Sequence, residues 1–160
     1  MDPATEVEVL ISGGEAVSTE LKRQIPPDDR TAIVKVMKTI AAFANGIGGT
    51  ILFGVEGDGT IVGIESDDPR KTIDRITNLI CDHVRPLVEF DASVVKVRGK
   101  PVLLVHVQSG SEPPYGVGTT DRQLHYYVRR NGSSFLATPA DIRASVRAKL
   151  PHASQPYFPR

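Results

Sequence analysis

The chain contains no tryptophan, a single cysteine and no net charge, with 19 Lys and Arg against 19 Asp and Glu. Each shortage removes a class of protein. A lone Cys81 cannot close an intramolecular disulfide, so a reducing compartment is expected. No apolar run approaches the roughly 20 residues of a membrane helix, and the longest, over residues 40–44 and 102–107, are the size of core segments. The opening Met-Asp-Pro-Ala-Thr-Glu-Val-Glu lacks the basic and apolar regions of a secretory signal, which points to a cytoplasmic location without membrane partners. Neutrality counts against a strongly basic nucleic-acid protein of the histone kind. The four histidines are scattered and no Cys pairs with them at zinc spacing. No Gly-x4-Gly-Lys-Ser/Thr loop occurs, and Gly54-Val-Glu-Gly-Asp-Gly59 lies between apolar runs without opening a helix, so neither nucleotide-binding fingerprint has its context.

What is present is unevenly spread. Residues 1–80 hold 8 basic against 13 acidic side chains, and residues 81–160 hold 11 against 6. Such polarity can set an acidic site beside a basic one. The length of 160 residues suits one domain, expected over residues 1–150, with a loose proline-containing tail over 151–160.

Apolar residues at Ile33, Val36, Met37, Ile40, Phe43 and Ala44 keep a helical period and predict a helix over residues 31–45 with one broad face in the core. Asn45 and Gly46 end it, since both tolerate the backbone of a helix C-terminus. Residues 51–55 predict a buried strand, turned at Gly57-Asp-Gly59 into a second strand over 61–64. A short helix is expected over 6–12. A strand over 16–24 sets Val17, Thr19 and Leu21 on one face and Ser18, Glu20 and Lys22 on the other. A helix from Asp67 to about Val84 has Ile73, Ile76, Ile80 and Val84 inward, and Cys81 beside them reads as core. Strands over 88–97 and 101–107 form a hairpin through Arg98-Gly-Lys100, residues 109–120 read as a surface loop, and residues 125–130 as a strand. Thr138-Pro139 starts a last helix, with Thr as cap and Pro in its first turn.

The order Glu15, Glu20-Leu-Lys22, Ala42-Phe-Ala-Asn45, Gly48-Gly-Thr50, Gly54-Val-Glu56, Asp58-Gly59 and Tyr127-Val-Arg129 resembles the Schlafen AlbA_2 domain family over residues 7–145. The resemblance implies an α+β fold, a mixed and largely antiparallel sheet with packed helices. It also implies a nucleic-acid-binding module, for RNA or DNA. The basic residues that the motifs and their neighbours offer for phosphate are Lys22, Arg23, Arg129 and Arg130, with Arg129 matching the family's Tyr-hydrophobic-Arg motif. Tyr127 is a platform for stacking a base, or core filler.

In nuclease members of the family a three-carboxylate site is the proposed cleavage centre. Its motif matches Glu15, Glu20 and Asp58, with Glu56 competing for the third place. Carboxylates are hard ligands suited to Mg²⁺ or Mn²⁺, so the resemblance raises a metal-dependent endoribonuclease acting on structured RNA such as tRNA. The bland alternative pairs Glu20 with Lys22 or Arg23 and leaves Asp58 to shape a turn. A third expectation is a protein-interaction module that forms a homodimer, because larger relatives fold two such lobes together.

Overall fold

The computed structural model describes residues 2–120 and 122–150, and the expected tail lies outside them. In chain order the elements are α1 (Pro3–Gly13), β1 (Thr19–Lys22), α2 (Arg30–Asn45), β2 (Gly49–Phe53), α3 (Pro69–His83), β3 (Val84–Arg85), β4 (Phe90–Val97), β5 (Lys100–Val107), β6 (Gly116–Val117), β7 (His125–Arg130), β8 (Ser133–Leu136) and α4 (Pro139–Lys149). The fold is α+β, as expected, but it has two four-stranded sheets in place of one. Their orders are β1-β2-β5-β4 and β3-β6-β7-β8. The β1–β2 pair is parallel and all other pairs are antiparallel.

Strand periodicity sorts the first sheet into two cores. Ile51, Phe53, Leu103, Val105 and Val107 face α2 and α3, while Leu52, Val102, Leu104 and Leu21 face α1. Both faces being covered, β2 is buried at every residue and reads as an unbroken apolar run. On β1 the expected alternation holds. Leu21 enters the α1 side, so Glu20 and Lys22, partnered in register with Ile51 and Phe53, stand on the α2 side.

Helix α2 lies between the sheets, touching β5 on one side and β6, β7 and β8 on the other. This corrects the single broad face: residues 39–45 are all buried. Side-chain caps start each helix. Asp2, Asp29, Asp68 and Thr138 accept backbone N–H groups, and Thr138 with Asp141 forms a reciprocal capping box.

Other expectations yield to tertiary pairing. Residues 61–64 form no strand. Gly63 takes φ +79°, and the N–H groups of Val62 and Gly63 both donate to the carbonyl of Gly54 at 2.9 Å, curling the chain back on itself. The loop over 109–120 is anchored in the interior through buried Tyr115 and contributes β6. Cys81 is exposed, because Ile76 and Ile80 take the buried face of α3. Arg98 and Gly99, at φ +51° and +77°, make the tight β4–β5 turn that the sequence predicts.

Candidate functional site

Of the carboxylates expected to converge, Glu15 and Glu20 both lie near Lys22, while Asp58 stands apart on its turn. Glu20 is buried, and its Oε2 accepts from Arg129 Nη1 at 2.8 Å while Oε1 lies 3.9 Å from Lys22 Nζ. Glu15 reaches back to β1, where its Oε1 accepts the Leu21 N–H at 3.4 Å. Asp58 stays on its turn and accepts the Thr60 N–H at 2.9 Å, a bond that holds its pKa below the ordinary carboxylate value. Glu56 pairs with Arg23. Among the described residues no group of three His, Cys, Asp or Glu side chains is placed to hold a metal ion. Glu20, on β1, already carries a guanidinium. The residues present do not fit the Mg²⁺ or Mn²⁺ site that the motif implied.

Arg129 is correspondingly engaged. Besides Glu20, it donates to the carbonyl of Ala16 through Nε and Nη2, to the carbonyl of Thr19 at 3.1 Å and to Ser134 Oγ at 3.4 Å. Its guanidinium also lies 5.1 Å from the Phe43 ring centroid. A guanidinium with its whole fork satisfied, on a side chain 4% exposed, has no donor left for phosphate. Arg129 therefore fastens β7 to β1, a bracing role in place of the expected phosphate contact. Arg130 pairs with Asp141 at the start of α4. Arg23, two-thirds exposed, keeps its charge at the surface despite Glu56.

Lys22, the last of the expected basic set, is half-buried beside Glu20. Burial lowers its pKa most. Glu20 and Glu15 raise it, and the approach of Lys35 and Lys38 lowers it further. Lys35 and Lys38 belong to α2. With Arg30, Thr31 and Val34 they line a groove of about 390 Å³ whose remaining wall is Tyr127 of β7. Arg30, Lys35 and Lys38 make no ion pair among the described residues. Tyr127 is half-buried, packed on the core yet open to the groove. Neither Arg30 nor the two lysines belongs to the family motif. The signal for them is helical spacing: residues 31, 34, 35 and 38 form one stripe of α2.

The motif residues instead build the frame. Asn45, at the buried end of α2, donates through Nδ2 to the carbonyls of Tyr115 and Tyr127 at 2.9 Å and accepts the Tyr115 N–H at 2.6 Å. Gly48 has φ +83°, and a Cβ there would lie 2.7 Å from the Val107 carbonyl oxygen. At Gly49 a Cβ would meet the Phe43 ring at 2.6 Å. Helix α2 can turn into β2 so abruptly only with glycine at these two positions.

Two sheets holding a central helix, joined by a buried Arg–Glu pair and an asparagine clamp, define an α+β domain whose sequence motifs are mostly architectural. The family model described as Schlafen, AlbA_2 matches residues 15–138, and the chain belongs to that family. Among solved structures it is similar to the DIP2311 protein from Corynebacterium diphtheriae, at 22% identity and a TM-score of 0.62 over 91% of this chain. This chain spans only 28% of that protein's chain. It is also similar to the N-terminal domain of an ATP-dependent DNA helicase RecG-related protein from Nitrosomonas europaea. That match has 26% identity, a TM-score of 0.58, and covers 84% of this chain and 92% of that one. No curated protein matches the sequence.

Proposed function

We propose that this domain binds nucleic acid along the α2–β7 groove, with Arg30, Lys35, Lys38 and Lys22 meeting the phosphates and Tyr127 at the wall. The observation that carries this reading is that Arg30, Lys35 and Lys38 line a groove beside an aromatic ring with no ion pair among the described residues. Burial chiefly, and Lys35 and Lys38 to a lesser degree, disfavour the charged form of Lys22, and a phosphate beside these cations offsets both. Family membership and the helicase-related neighbour from Nitrosomonas lend support. The groove is local, so a chain of zero net charge can still offer a basic strip.

Binding is favoured over metal-dependent cleavage, because Arg129 already occupies the Glu20 carboxylate. Fluorescence anisotropy with labelled RNA and DNA over a range of KCl tests the proposal. Affinity should fall linearly on a log–log scale, with a slope of about 0.7 to 0.9 per phosphate neutralised. The Lys35→Glu/Lys38→Glu variant should bind at least tenfold more weakly and with a shallower slope. Salt-independent binding, or equal binding by the variant, would overturn the assignment.

A further inference from the structure

Beyond Tyr127 the groove opens into a second, larger space that the phosphate contacts leave unused. It is a cleft of about 560 Å³ between α2, the end of α3 and strands β6 and β7. Arg30, Val34 and Tyr127 line both spaces, so the cleft and the basic groove are continuous. We infer that this cleft receives an unpaired base from a single-stranded nucleic acid whose phosphates lie along Arg30, Lys35 and Lys38. The inference rests on the nucleic-acid reading above and adds which form of nucleic acid is taken.

Charge divides the two spaces. The groove holds the unpaired cations, whereas the cleft carries the carboxylates of Asp28 and Asp82. A phosphate is drawn to the groove and repelled from the cleft, so only a neutral part of a nucleotide suits the latter. Its walls include Val34, Leu79 and Val117, which offer apolar contact to the faces of a flat ring, and Tyr127 offers an aromatic one. The cleft is within the size range of small-molecule sites and far too narrow for a duplex.

The polar lining mixes donors, Arg30 among them, with acceptors suited to the edge of a base. His83 Nδ1 lies 2.8 Å from the Leu79 carbonyl oxygen, which can only accept, so Nδ1 bears a proton and the ring is held at the end of α3. Asp82 adds a carboxylate, and Gln123 supplies an amide with both a donor and acceptors. Groups of this kind recognise the exocyclic amino groups of adenine, cytosine and guanine, which uracil and thymine lack. In a duplex those amino groups are already paired, so the cleft selects single strands.

The test uses the full chain and a short single strand with a central 2-aminopurine, beside its duplex. The single strand should bind at least tenfold more tightly, and the 2-aminopurine emission should be quenched several-fold as the base stacks on Tyr127. Tyr127→Leu keeps apolar bulk and should lose the quenching. Asp82→Ala, at an exposed helical position where folding is not at risk, should erase the preference of the wild type for adenine-rich over uracil-rich strands. Equal affinity for strand and duplex with unchanged emission would overturn the base cleft while leaving salt-dependent binding intact. Failure to bind either form would overturn both readings.

Discussion

The two sheets of this domain are built to different standards. In the first, helices cover both faces, and the paired β2 and β5 carry a continuous apolar sequence into two separate cores. In the second, two of the four strands are only two residues long, no residue of β7 or β8 is fully buried, and α4 has no buried residue at all. Every side chain lining the groove comes from α2 or β7. The comparison teaches a division of labour. A closed sheet fixes the position of α2, and a loosely covered sheet leaves one stripe of that helix open to solvent.

The joint between the halves offers the sharpest way to break that arrangement. Arg129→Ala strands the Glu20 carboxylate in a buried site and should cost about 3–5 kcal/mol in urea unfolding. Were Arg129 chiefly a phosphate ligand, stability would hold and binding alone would fall. Within the closed sheet, Leu52→Ala opens a cavity between α1 and β2 and should cost about 2–5 kcal/mol by the same assay. Asn45→Ala leaves two carbonyls and one N–H without their partner, a loss of roughly 3 kcal/mol.

At the open end the effects should shrink. The Thr138 N–H, with Arg130 assisting, holds the Asp141 pKa below its ordinary value. A depressed carboxylate stabilises the fold fully above its unfolded pKa and loses that contribution as pH falls through the folded one. Acid titration by circular dichroism should therefore show α4 signal lost below the normal carboxylate range, and Asp141→Asn should remove that pH dependence. Leu136→Ala, exposed on β8, should change stability by no more than about 0.5 kcal/mol. A larger loss would mean that the second sheet is better packed than its burial indicates.

The legible parts of the sequence were those whose signal is local. Helix α2, the Arg98-Gly99 turn and the Thr138-Pro139 start depend on periodicity, glycine and capping within a few residues, and each stands close to where those rules put it. Strands β3 and β6 have no such signal. Each is two residues long, and β3 exists through pairing with β6 across more than thirty positions, Val84 with Val117 and Arg85 with Gly116. Misreading Cys81 has the same root, since periodicity alone does not rank the residues that flank an apolar stripe. Of the residues proposed to bind, Lys22 and Tyr127 are offered by the motif and its neighbours, whereas Arg129, which the motif offers for phosphate, is held by Glu20, Ser134 and the carbonyls of Ala16 and Thr19. Arg30, Lys35 and Lys38, also proposed to bind, lie outside the motif on a helix whose clearest sequence signal is its apolar face.

Asn45 also governs the order in which this molecule can be made. Its amide is satisfied by residues that lie 70 and 82 positions further along the chain. On a ribosome the first helices and β2 emerge long before Tyr115 and Tyr127, so the end of α2 waits with its polar groups open until the second sheet arrives. Because that end sits in the middle of the structure, the early half has no finished state of its own to settle into. Cutting the chain between β5 and β6 would then yield two unfolded fragments, and hydrogen exchange should find the amides of α2 and β7 opening together as one cooperative unit.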